Sequence, residues 1–173
     1  MILSCDENLE LRSFQEAWAE ELFVLVEHNR EHLQPWLTWV SRTRTVQDVR
    51  VFLKQAQSFV ETQNVFRGCV FWHDQLVGAV GITGTDTFRS DRKGNIGYWL
   101  SKDMVGKGIM TRAVHRVLEH AFFDLSLHRI EIKAATDNTK SWSIAQRLGF
   151  TREGCLRESF FINGRFLDLY MGS

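Results

Sequence analysis

Apolar positions along the chain switch between a spacing of two and a spacing of three to four, and each switch marks a new element. Leu9-Glu10-Leu11-Arg12-Ser13 alternates and predicts a short strand. From Phe14 to His28, Trp18, Leu22 and Leu25 share one helical face. Leu33 to Val40 is short, aromatic and interrupted by Pro35. Thr45, with Asp48 three residues on, has the form of a loose capping box. Val49, Phe52, Leu53, Ala56, Phe59 and Val60 then recur at helical spacing. After this the period changes. Val65–Trp72 and Leu76–Thr83 predict a β-hairpin about His73-Asp74-Gln75, followed by a polar loop from Gly84 to Lys93.

Gly94 to Leu100 predicts a further strand, and Ser101 to Gly108 a glycine-bearing loop. Val114, Val117, Leu118, Ala121, Phe122 and Leu125 then mark a strong helix, and His128 to Ala134 alternates as a strand. Lys140 to Leu148 is a short helix stopped by Gly149. Thr151–Ile162 and Arg165–Met171 form a hairpin on Asn163-Gly164, the strongest short signal of that kind. The early strands are expected to be antiparallel. The strand–helix–strand unit from Gly94 to Ala134 is expected to be parallel and right-handed.

Composition narrows the class. With 173 residues and no Pro/Gly/Ser-rich linker, the chain is read as one domain, residues 1–173. Hydrophobic residues make up 44% and charged residues 24%, a folded mix rather than a disordered one. Lys+Arg and Asp+Glu are both 21, which argues against direct nucleic-acid binding through overall positive charge. Cys5, Cys69 and Cys155 are far apart, so neither a disulfide framework nor a zinc site is expected. The histidines lack metal-ligand spacing; His28 and His32 are four apart, with no carboxylate motif, and read as a solvated helix end. No apolar run reaches about 18 residues, and no signal peptide is evident. No metal, no membrane and a cytoplasmic location are the expectations.

The chemistry concentrates at Val105-Gly106-Lys107-Gly108-Ile109-Met110-Thr111, where a strand, a glycine turn and a helix start meet. Glycines let the backbone bend and a ligand approach. The first helical N–H groups have no intrahelical partner, and the helix dipole adds partial positive charge. In physical terms this is a diphosphate site. The plain alternative is a tight turn into a helix.

This stretch resembles the acyl-CoA pyrophosphate loop of the GNAT superfamily of N-acetyltransferases. Their pattern is Gln/Arg-x-x-Gly-x-Gly/Ala; Gly108 matches the middle glycine, while Val105 and Met110 depart from it. Gly-Lys-Gly-Ile-Met-Thr, and Ile-Gly-Tyr-Trp-Leu before it, are similar to the branch that acetylates ribosomal-protein N-termini. Asp137-Asn138-Thr139-Lys140-Ser141, Leu148-Gly149-Phe150, Glu153-Gly154 with Arg157, and Leu33-Gln34-Pro35-Trp36-Leu37 extend the likeness from about Leu9 to Tyr170.

The resemblance implies an α/β single domain: a mixed, mostly antiparallel sheet, flanked by helices, with a parallel strand pair splayed at the acyl-CoA site. It implies acetyl-CoA as cosubstrate and transfer to a primary amine, a ribosomal-protein N-terminus above all, by direct attack in a ternary complex. Homodimers are common in that branch. Trp99, Leu100 and Ser101 are expected along the pantetheine arm, and Gly106, Lys107, Gly108, Ile109, Met110 and Thr111 around the diphosphate. Asn138 is either an arm contact or a helix cap. Ser141 is the candidate proton donor to the departing sulfur, since neither Tyr98 nor Tyr170 sits in the slot where many relatives carry a tyrosine. Glu158 is the candidate general base; the branch sometimes places a carboxylate where this chain has Phe160. Trp36 and Trp39 are candidate walls of the acceptor groove. Cys155 reads as packing on a core strand.

A P-loop nucleotide hydrolase is excluded, since the chain has no Gly-Lys-Ser/Thr. A nicotinamide-dependent oxidoreductase lacks its third glycine, replaced by Thr111, and Glu131 sits mid-strand. An acyl-CoA-binding sensor without turnover, and an acetyltransferase for an antibiotic or polyamine, stay open at this level.

Overall fold

Leu9 and Leu11 are fully buried, while Glu10 and Arg12 between them keep part of their surface in water. That alternation makes strand β2 (Leu9–Ser13) one member of an eight-stranded sheet. The computed structural model describes residues 1–63, 65–84 and 91–173. In chain order the other elements are β1 (Ile2–Ser4), α1 (Ala19–His28), α2 (Arg30–Leu33), α3 (Val46–Gln63), β3 (Arg67–Trp72), β4 (Gln75–Thr83), β5 (Lys93–Leu100), α4 (Ile109–Glu119), β6 (Arg129–Ala135), α5 (Thr139–Arg147), β7 (Arg152–Ile162) and β8 (Arg165–Gly172). The sheet order is β1-β2-β3-β4-β5-β6-β8-β7.

Every pairing is antiparallel except β5 with β6. That parallel contact lasts only from Lys93 opposite Arg129 to Asn95 opposite Glu131. Beyond it β5 stays on β4 through Leu100, whereas Ile132 to Ala135 of β6 pair with β8. The two strands therefore diverge and leave a wedge in the middle of the sheet.

Apolar clusters lie on both faces. Ile109, Ala113, Val114 and Val117 of α4 pack with Leu9, Leu11, Val70, Val80 and Ile82. Val49, Leu53 and Ala56 of α3 pack with Leu22 of α1 and with Cys69 and Phe71 of β3. Each buried Ile or Val contributes roughly 1.5–3 kcal/mol, so the start of α4 is held firmly beside the wedge. The capping box is present: Thr45 N–H donates to Asp48 Oδ2 at 2.9 Å, and Asp48 N–H donates to Thr45 Oγ1 at 3.2 Å.

Three details differ from the periodicity. Strand β1 is too short to carry a period. Helix α1 begins at Ala19, not Phe14, because Phe14 N–H still bonds Arg67 O and a 3-10 turn follows. Helix α4 ends in a π turn over His120–Asp124, with Leu125 N–H reaching His120 O. That wider turn shifts the face, so Phe122 is exposed rather than packed. The loop expected from Gly84 to Lys93 falls largely on residues outside the described ones.

Candidate acetyl-transfer site

The wedge opens as a cleft of about 1110 Å³. Its first wall is main chain. Ser101 N–H donates to Val77 O at 2.8 Å, and Leu100 stands opposite Gly78. Bonded positions alternate along an antiparallel pair. The main chain of Gly97, Trp99 and Ser101 thus bonds back to β4, and that of Ile96, Tyr98 and Leu100 faces the gap, where β6 has departed. These are buried polar groups that want a partner.

At the mouth, Gly106 has φ of +87° and Gly108 φ of +73°, a left-handed backbone that disfavours any Cβ. A Cβ built on either glycine meets nothing within 4 Å, so the space beside both is open. Gly108 is the N-cap of α4 without a side-chain cap, and the first turn holds no acidic residue. Arg147 lies alongside, donating to Thr111 Oγ1 at 3.1 Å and to Ser143 Oγ at 2.8 Å. Uncapped N–H groups, a helix dipole, a guanidinium and open space fit an anion such as a diphosphate. With the freed edge of β5, these residues fit acyl-CoA.

Across the gap, Asn138 caps α5: its Oδ1 accepts from Ser141 N–H at 3.2 Å. The carboxamide oxygen is thereby engaged, which leaves its NH2 for a ligand. Ser141 Oγ donates to Tyr98 Oη at 3.2 Å, and Tyr98 Oη donates to Ser141 O at 2.9 Å. Burial pushes the Tyr98 phenol up, against the Ser141 hydrogen bond and the nearby Arg147, so it keeps its proton at neutral pH. The hydroxyl pair bridges β5 and α5 beside the cleft.

The remaining wall is apolar. Trp36 packs with Ala135, Ile162, Phe160, Leu167 and Leu169, and Trp36, Leu37, Phe160 and Leu169 line the cleft. His32, Lys133, Asp137 and Lys140 are among the polar side chains lining the cleft.

A family model described as "Acetyltransferase (GNAT) domain" matches residues 8–151. This chain belongs to the GNAT acetyltransferases. The "Putative ribosomal N-acetyltransferase YdaF" of Bacillus subtilis (strain 168) is 30% identical over 166 residues, covering 95% of this chain and 89% of that protein. The "Ribosomal-protein-serine acetyltransferase" of Escherichia coli (strain K12) is 28% identical, covering 96% and 92%. A solved structure of RimL, a ribosomal L7/L12 alpha-N-protein acetyltransferase in complex with coenzyme A, superposes with a TM-score of 0.93 at 26% identity, covering 99% and 96%.

As a GNAT chain it uses acetyl-CoA, and its cleft gathers most of the residues expected from the sequence: Trp99, Leu100, Gly106, Gly108, Ile109, Met110, Thr111, Asn138, Ser141 and Trp36. Others lie elsewhere. Ser101 turns its hydroxyl to Asn29 Oδ1 at 3.3 Å, away from the gap. Lys107 is exposed with Nζ 3.5 Å from Met104 Sδ, and is not among the lining residues. Trp39 stands behind the wall, its ring 5.9 Å from that of Trp99. Glu158 is outside the cleft. Leu156 stands opposite Leu169 but Phe160 opposite Leu167, so β7 bulges between them. Glu158 sits in that bulge at φ of +48°, its N–H bonded to Asp168 Oδ1 at 2.8 Å, beside a separate depression. The bulge puts Phe160 at the cleft instead. Cys155 is exposed at the same depression, not packed. Sequence reasoning put Tyr98 at the start of the pantetheine edge but not against Ser141, a reach that depends on the splay, and it read His32 as solvated.

Proposed function

We propose that this GNAT chain acetylates the α-amine at a protein N-terminus, of the ribosomal-protein type, by direct attack in a ternary complex. The observation that carries the acceptor class is the Trp36 wall. Its packing is aromatic and aliphatic: Trp36, Phe160, Leu167 and Leu169. Among the described lining residues of the whole cleft, Asp137 is the one carboxylate, against Lys133, Lys140, Arg112 and Arg147. A neutral peptide terminus suits that surface, whereas a polyamine or aminoglycoside meets like charge. The ribosomal-protein acetyltransferases among its relatives support the same reading.

Acetyl-CoA, when bound, supplies the thioester, and with it an activated acetyl group and a sulfur leaving group. The uncapped N–H groups of Ile109 to Thr111 and the Arg147 guanidinium hold phosphate charge. Gap-facing N–H groups of β5 hold the arm and polarise the carbonyl. The Ser141 hydroxyl, backed by Tyr98, gives its proton to the sulfur.

The test follows thiol release from acetyl-CoA with N-terminal peptides of ribosomal proteins, spermidine and an aminoglycoside. The expected kcat/KM for a peptide exceeds that for either polycation by about tenfold or more, the scale of like-charge repulsion. Preference for spermidine would replace this reading with a small-amine acetyltransferase.

A further inference from the structure

We infer that His32 is the proton acceptor of the transfer, its imidazole taking the surplus proton from the attacking amine on the Trp36 side of the cleft. This rests on the chain's activity as an amine acetyltransferase, not on which amine is used.

The argument starts from what lines that side. Glu158 sits in the β7 bulge beside another depression, and Phe160 holds the cleft position in its place. Lys133 is an ammonium with no lone pair to accept a proton. Tyr98 keeps its proton and faces Ser141. His32 and Asp137 remain among the described lining residues; His32 lies on α2 one turn before Trp36, whereas Asp137 lies between β6 and α5 beside the Asn138 cap.

Its surroundings suit the role. The ring lies close enough to the main chain of Leu100 for that group to act on it, and both residues line the cleft. The Leu100 carbonyl is one of the groups left facing the gap when β6 departs from β5. A ring N–H directed at that carbonyl would leave the other nitrogen as an acceptor. Burial pushes the imidazole pKa below its ordinary value, and the ammonium groups of Lys140 on α5 and Lys102 after β5 act in the same direction, against the Leu100 main chain. The ring is therefore neutral at pH 7 and free to take a proton.

The step balances without another reagent. The amine nitrogen bonds to the thioester carbon as the carbon–sulfur bond breaks. The amine's surplus proton goes to His32 and on to solvent. The Ser141 hydroxyl proton goes to the sulfur as its oxygen takes one back from water.

His32→Gln retains an N–H for the Leu100 carbonyl but accepts no proton. With the best amine of the wild type, kcat/KM at pH 7 is expected to fall about a hundredfold. At pH near 9, about a unit above the pKa of an α-amine, the loss is expected to shrink to a few-fold. The calorimetric Kd for CoA is expected to stay unchanged, and Asp137→Asn to lose less than His32→Gln at pH 7. An NMR titration of the His32 ring is expected to give a midpoint below 6.5. A loss below about threefold at pH 7, an equal loss at both pH values, a dominant effect of Asp137→Asn, or a midpoint at or above 6.5 overturns the inference.

Discussion

The two ends of the cleft are built from different material. The cofactor end is main chain: the freed edge of β5, two glycines with positive φ, and the uncapped start of α4. It comes from one continuous stretch, Ile96 to Thr111. The acceptor end is side chain, assembled from α2, β6, β7 and β8. The loop tolerates Val105 and Met110, because it offers backbone N–H groups rather than particular side chains. A side-chain site changes its chemistry with one bulge, as Phe160 in place of Glu158 demonstrates. Family members can thus share a cofactor while their acceptors diverge.

Substitutions that separate the two ends sharpen this contrast. Gly108→Val has the largest expected effect. A non-glycine residue with left-handed φ costs about 1–2 kcal/mol, and the added side chain enters the open space beside the loop. CoA affinity, measured by calorimetry, is expected to fall about tenfold or more, while the KM for the acceptor peptide holds. A change in acceptor KM without one in CoA affinity would break the division. Trp36→Ala comes next, and in the opposite sense. Losing part of the apolar wall is expected to raise the peptide KM several-fold, for about 1 kcal/mol of lost contact, with CoA affinity unchanged. Glu158→Gln is the smallest. Because this carboxylate lies outside the cleft, steady-state rates are expected to stay within about twofold, as for a surface change. A large loss of kcat would return the base to β7.

Legibility divides along the same line. The β5–loop–α4 unit, the Asn138 cap and the Asn163-Gly164 turn were readable because each is set by neighbours in sequence. The acceptor end depends on contacts between distant segments. His32 looks like a solvated residue until Leu100 arrives from 68 positions away. Tyr98 meets Ser141 only because β5 and β6 separate. Glu158 was expected in the cleft on the assumption of regular alternation. The extra residues in β7 are invisible in that pattern, since the bulge is pinned by Asp168 of the partner strand. The π turn that exposes Phe122 is a similar local break in period.

The most direct test of the acceptor assignment uses two versions of one N-terminal peptide, each with an internal lysine. One has a free α-amine and the other has it blocked. With acetyl-CoA and the wild-type protein, the account predicts thiol release and acetylation of the free peptide, and none above background with the blocked one. Equal turnover of both, with the acetyl group on lysine, would contradict it.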